Sequence, residues 1–109
     1  MTVIAGLLFA LLLPDPATPP ARAEVCLAHV NAMIAEASRE TGRVAGPSWF
    51  IRDWWSARLP EDAAPGALTA EQRTALEVSM PERRAADPDG HRAELQSCVD
   101  EAIEGGALP

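Results

Sequence analysis

The chain has 109 residues, with nine Arg and no Lys against sixteen acidic residues, and its formal net charge at pH 7 is −7. This length suits one small domain. The acidic balance argues against nucleic acid and anionic membrane surfaces as partners, because both attract clustered positive charge. Hydrophobic residues make up 48% of the chain, which predicts a folded globule rather than a disordered acidic tail.

The N-terminal residues predict a cleaved signal peptide. Residues 3–13 are apolar except for Gly6, a run that matches a signal-peptide core and is too short for a bilayer-spanning helix of about 20 residues. The sequence Ala-Arg-Ala at 21–23 places small residues at both positions that signal peptidase recognises. We therefore expect a signal peptide over 1–23 and a single periplasmic or secreted domain over 24–109, with no stable membrane span. The alternative is a buried N-terminal helix.

Export favours a disulfide between the two cysteines, Cys26 and Cys98, which lie near opposite ends of the expected mature chain. Closing a loop of roughly 70 residues would stabilise the fold by about 4 kcal/mol. A zinc site is the alternative, because Cys26 and His29 share a helix face. His91 and Cys98, however, are separated by about 10 Å of helix and could not readily bind one ion. We expect the disulfide, with no metal and no cofactor.

The first helix is predicted over 24–41, where apolar residues recur at helical spacing, with Gly42 as its C-cap. His29 lies at the edge of the apolar stripe, on the side of Glu36 and Glu40. We interpret it as a partly exposed surface histidine.

A second helix is predicted to begin at Pro47-Ser48, with Ser48 as the N-cap, and to run to about Leu59 before Pro60. It contains every aromatic residue of 24–109, within seven positions: Trp49, Phe50, Trp54 and Trp55.

Helical spacing distributes these aromatic residues around the helix. Phe50 and Trp54 share one face with Trp55 beside them, while Trp49 lies on the opposite side. Arg58 is placed so that its guanidinium can cover an indole. So small a domain can hardly bury all four rings, which indicates an exposed contact patch that includes Trp49 and, as a further candidate, Trp55. The alternative is that the helix forms the aromatic centre of the core.

Two further helical stretches complete the prediction. Residues 69–72 form a capping box, with Thr69 as N-cap and Gln72 at the third position, and Pro81 interrupts the helix that follows. Asp87 caps the last helix, which ends at the glycines 105–106. The predicted fold is all-α: a small bundle of about four helices, closed by one disulfide between antiparallel first and last helices.

The sequence Leu-Thr-Ala-Glu-Gln at 68–72 resembles the LTxxQ signature of the Spy and CpxP periplasmic stress proteins, which are exported and all-helical. Those proteins typically carry the motif twice, and this chain carries it once. In organisation, with one disulfide in a small exported helical domain, the chain is also similar to the HdeA-type acid-stress chaperones. Neither resemblance assigns a functional residue.

No phosphate-binding loop, metalloprotease motif or redox-active CxxC is present, and paired cysteines leave no free thiol nucleophile. We therefore expect a non-enzymatic binding or chaperone-like protein that holds an apolar partner segment. Its partner is expected to be a protein, and its oligomeric state stays open. The alternative is an accessory subunit whose aromatic helix is permanently buried against another protein. The candidate contact residues are Trp49, Phe50, Trp54, Trp55 and Arg58.

Overall fold

The computed structural model describes residues 18–109, so the apolar run at 3–13 lies outside the described residues. Helices make up 70% of this part of the chain, and none of it forms a strand. The third and fourth helical segments are separated only by Ser79 and count as one interrupted helix. The predicted bundle of about four helices is therefore confirmed. The five segments are α1 (Arg22–Thr41), α2 (Gly46–Ser56), α3 (Ala70–Val78), α4 (Met80–Ala86) and α5 (Pro88–Glu104).

The ends of α1, α3 and α5 follow local sequence signals. Gly42 ends α1 in the left-handed conformation, with φ of 70°. The Thr69 hydroxyl accepts a hydrogen bond from the Gln72 backbone N–H, and the Gln72 side chain accepts one from the Thr69 backbone N–H. The Asp87 carboxylate accepts from the Gly90 backbone N–H at 3.1 Å. These three caps are as predicted, because each depends only on residues within one turn of the helix end.

The start of α2 differs from the prediction. The helix begins at Gly46, and its N-cap is Ala45, which makes no side-chain capping bond. Ser48 is therefore inside the first turn, where its backbone N–H donates to the Ala45 carbonyl at 3.0 Å. Pro47 permits this earlier start because first-turn residues need no intrahelical donor and its φ already suits a helix.

The α3–α4 pair is one rod interrupted at Ser79. Pro81 lacks a backbone N–H, and its ring clashes with the carbonyl four residues earlier in a regular helix. The Ser79 hydroxyl donates to the Leu76 carbonyl at 2.6 Å, and the Arg83 N–H resumes the helical pattern with the Ser79 carbonyl at 3.0 Å. The interruption predicted at Pro81 is confirmed.

The disulfide joins α1 to α5 at the centre of the core. Cys26 and Cys98 are both fully buried, with their Cα atoms 5.4 Å apart. Arg22, one turn before Cys26, pairs with Glu101 at 2.7 Å, so the two helices run antiparallel. The other buried members of the core cluster come from α1, α2 and α5: Ala23, Val30, Ile34, Ile51, Trp55 and Ala102. The bond is consistent with an oxidising, exported location.

A buried ion pair fastens α3 to the start of α1. The Glu24 side chain has no solvent exposure, and its carboxylate receives two hydrogen bonds from the Arg73 guanidinium, at 2.7 and 3.0 Å. It also accepts a hydrogen bond from the Leu68 backbone N–H at 2.7 Å. The carboxylate is thus paired and hydrogen-bonded, as a buried charge must be.

None of the helices within 18–109 combines the length and the apolar character that crossing a membrane requires.

Candidate functional site

The inward face of α2 consists of Ile51 and Trp55, which are 4% and 2% exposed. The Trp55 indole N–H donates to the Cys98 carbonyl at 3.0 Å, which places the ring against the disulfide. Trp55 is therefore a core residue, and its proposed role in an exposed patch is wrong. Ile51 and Trp55 are four residues apart and so lie on the same face of α2, and that face packs against α1 and α5.

Trp54 is half-buried at the edge of the same helix. Its indole N–H donates to the Gly105 carbonyl at 3.3 Å, and its ring meets Trp55 edge-on with centroids 4.8 Å apart. The Arg58 guanidinium lies 3.4 Å from the Trp54 ring centroid and donates to the Trp54 carbonyl at 2.9 Å. The predicted guanidinium cover on an indole is confirmed, and it stabilises the last turn of α2.

The outward start of α2 exposes two aromatic rings. Trp49 is 41% exposed and Phe50 is 47% exposed. The Arg52 guanidinium lies 4.9 Å from the Trp49 ring centroid, and it also pairs with Asp53 at 2.7 Å. We call Trp49, Phe50 and Arg52 the aromatic patch. Exposed aromatic rings beside an arginine are the residue types enriched at the energetic centres of protein interfaces.

The structure brings the two histidines together, which sequence analysis missed. Their ring centroids are 4.7 Å apart. His29 is only 2% exposed, and its Nε2 donates to the Glu94 carboxylate at 2.5 Å. The interpretation of His29 as a partly exposed histidine near Glu36 and Glu40 is therefore wrong, because α5 covers it. Its other ring nitrogen, Nδ1, is buried and has no hydrogen-bond partner within 18–109.

The contact between the two histidines could have been predicted from the disulfide. In antiparallel helices, positions after Cys26 face positions before Cys98. His29 lies about one turn after Cys26, Glu94 about one turn before Cys98, and His91 two turns before it. The predicted disulfide and antiparallel arrangement therefore imply this pairing once the register is extended from the cysteines along both helices.

His91 differs from His29 in its surroundings, being only partly buried. Burial is the main cause that lowers the pKa of His91 below 6.5, followed by the neighbouring His29 and Arg84 side chains. The Glu94 carboxylate acts in the opposite direction. Around neutral pH the His91 ring is therefore neutral and can both donate and accept a hydrogen bond.

A groove of about 670 Å³ begins beside the two histidines and is lined by residues of α1, α3, α4 and α5. We call it the α1–α5 groove. Its apolar lining includes Ala32 and Met33 from α1, Val78 and Met80 from α3 and α4, and Leu95 from α5. Arginines from three helices line it as well: Arg39, Arg84 and Arg92.

Acidic, histidine and cysteine side chains are the groups in this structure that could hold a metal ion. Among residues 18–109, no three His, Cys, Asp or Glu side chains are grouped so that they could hold a metal ion. Cys26 is in the disulfide, so its thiolate is not available beside His29.

The segment that resembles the LTxxQ signature has a structural role here. Leu68 is 7% exposed and its N–H bonds to Glu24, while Thr69 and Gln72 form the capping box that starts α3. Comparison of the chain with known protein families, with curated proteins and with solved structures gives no match.

Proposed function

We propose that this protein is a small exported, non-enzymatic binding protein, chaperone-like in action, that uses the aromatic patch to hold an apolar segment of a partner protein. Export is supported by the predicted signal peptide and by the disulfide, which is consistent with an oxidising compartment such as the periplasm.

The observation that carries the proposal is the exposure of Trp49 and Phe50 in a domain with few large apolar side chains. Because each ring is already more than half buried, burying the rest would add about 1 kcal/mol of stability to a core that is small for its chain length. The fold instead leaves both rings 41–47% exposed at the start of a rigid helix. Aromatic side chains in that position are suited to bury themselves against a partner at little conformational cost.

The test measures how well the protein suppresses aggregation of a chemically denatured model protein on dilution, followed by light scattering. We expect the double variant Trp49→Ala with Phe50→Ala to lose most of the suppression. Ile103→Ala is the matched control, because Ile103 is an apolar residue of α5 that is 43% exposed and belongs to neither the aromatic patch nor the groove. Loss of suppression in the control variant alone, or in neither variant, would contradict the proposal.

Fluorescence gives a second readout. In a Trp54→Phe variant, the accessible emission comes from Trp49, because Trp55 is buried. We expect this emission to be quenched by iodide in the free protein and to shift to the blue when an apolar peptide binds. If Trp49 is already protected, and sedimentation shows a stable complex purified with another protein, the chain is instead the accessory subunit considered above.

A further inference from the structure

We propose that the α1–α5 groove is a second binding site, separate from the aromatic patch, for a small amphipathic anion: a hydrophobic carboxylate with its chain along the groove and its head group at the arginines.

The size and lining of the groove suit a small ligand. Its volume of about 670 Å³ lies within the range of small-molecule sites, which are mostly apolar clefts that also occur between the helices of bundles. Met33, which is partly exposed, supplies a flexible thioether side chain that can adapt to a chain-like ligand. Val78 stands 71% exposed at the groove, so a bound chain would remove apolar surface from water.

The groove lining contains more arginines than carboxylates, although the chain as a whole is acidic, and Arg92 lies 3.8 Å from Asp89. The chain carries a net charge of −7, yet three arginines line the groove against two carboxylates, Glu36 and Glu77. Arg84 neutralises Glu36 through an ion pair of 2.6 Å. Arg39 forms no ion pair with any residue of 18–109 and is exposed, so its guanidinium is available to bind a carboxylate.

The histidines add polar groups at one end of this apolar cleft. His29 lines the groove, and its buried Nδ1 has no hydrogen-bond partner within the described residues. His91 also lines the groove and is partly exposed. A few convergent polar groups in an otherwise apolar cleft are what orient a ligand in small-molecule sites.

Isothermal titration calorimetry with decanoate tests the proposal. The protein used is the one purified from its cell, with the N-terminus that it carries there. Decyltrimethylammonium has the same chain length and the opposite charge, and we expect it to bind more weakly. The Arg39→Gln variant should bind decanoate about tenfold more weakly, as expected for loss of one hydrogen bond to a charged group. Arg43→Gln is the matched control, because Arg43 is also exposed and follows α1 but does not line the groove.

A second pair of variants tests the position of the ligand. Ala32→Phe fills the groove and should abolish decanoate binding, while Ala93→Phe places the same side chain on the exposed face of α5 and should leave binding unchanged. Circular dichroism checks that both variants fold. In NMR spectra of the unmodified protein, decanoate should shift the ring signals of His29 and His91.

Several outcomes would overturn the proposal. They are equal binding of both probes, binding that survives Ala32→Phe in a folded protein, and no binding of decanoate at all. A dimer in solution that Ala32→Phe dissociates would show that a second copy occupies the groove instead. The Trp49→Ala variant should retain decanoate binding, so failure at one surface leaves the test of the other intact.

Discussion

At the scale of single residues, the least expected feature is Glu24, a carboxylate placed where the start of α1 meets α3. Its side chain is fully buried, whereas the Arg73 side chain that pairs with it is 33% exposed. The Glu24 hydrogen bond also raises the pKa of Arg73 above its already high usual value. Because one partner has no access to water, removal of that charge leaves polar groups at the helix start without a compensating partner.

We expect Glu24→Gln to lower the free energy of unfolding by about 3 kcal/mol, because it breaks a buried pair by removing one partner. Urea denaturation followed by circular dichroism measures this change. Glu101→Gln is the control, since it removes an ion pair with Arg22 in which both side chains are nearly half exposed, and it should cost less than about 1 kcal/mol. Equal effects of the two substitutions would refute the assignment of Glu24 as a buried structural charge.

His91 provides a prediction about pH. Because burial, above all, lowers the pKa of His91 in the folded state, the unfolded chain takes up this proton at a higher pH than the folded protein does. The folded state therefore loses stability as the pH falls through about 6.5, and the loss stops once the folded His91 is protonated too.

An NMR titration of the His91 ring in native buffer and in urea measures the two midpoints, and we expect the native one to be lower. In the Glu94→Gln variant it should be lower still, because the Glu94 carboxylate raises the pKa of His91. A native midpoint at or above that of the unfolded chain would contradict this account.

At the scale of elements, the first turn of α1 lies across the predicted cleavage position. The Ala21 N–H donates to the Gly66 carbonyl at 3.0 Å, Ala23 is 7% exposed within the core cluster, and Arg22 pairs with Glu101. The backbones at Ala21 and Gly66 approach each other closely, since a Cβ added at Gly66 would lie 2.8 Å from the Ala21 nitrogen. Cleavage after Ala23 would remove all of these contacts from the mature protein.

We therefore expect a chain that begins at Thr18 to be more stable than one that begins at Glu24, by about 1–3 kcal/mol from one lost hydrogen bond, one exposed ion pair and a small buried side chain. Thermal denaturation of the two purified chains measures the difference, and mass spectrometry of the protein purified from its cell identifies which of them occurs. Equal melting temperatures would show that the first turn contributes nothing to stability.

At the scale of the whole molecule, stability depends on one covalent bond that joins the first helix to the last. Cys26 and Cys98 are separated by 72 positions, and closing a loop of this length restricts the unfolded chain by about 4 kcal/mol. The bond also lies where α1, α2 and α5 meet, since the Trp55 indole N–H donates to the Cys98 carbonyl. Its removal thus acts on the unfolded chain and on the centre of the core.

We expect the double variant Cys26→Ala with Cys98→Ala to unfold at a much lower urea concentration than the oxidised protein, by about 4 kcal/mol in free energy. Because both sulfurs are inaccessible to solvent, the native protein should resist a mild reductant until urea is added. Thiol labelling with and without urea checks this, and rapid labelling in native buffer would contradict it.

Local patterns in the sequence were sufficient to predict the helices, most of their ends and the disulfide. A cap such as Thr69 with Gln72 and an interruption such as Pro81 involve atoms within one or two turns, so local chemistry is sufficient to predict them. The concentration of aromatic residues at 49–55 was equally visible, as was the helical spacing of Trp54 and Arg58.

The side of each helix that faces the core depends on how the helices pack together. The tertiary structure buried Trp55 and left Phe50 exposed, it covered His29 with Glu94 and His91 from α5, and it placed the Glu24 carboxylate under Arg73. The physical reason is that burial depends on the rotation and register of whole helices against one another. Rotation and register are settled by contacts between residues up to 79 positions apart, and no local pattern of the chain specifies them.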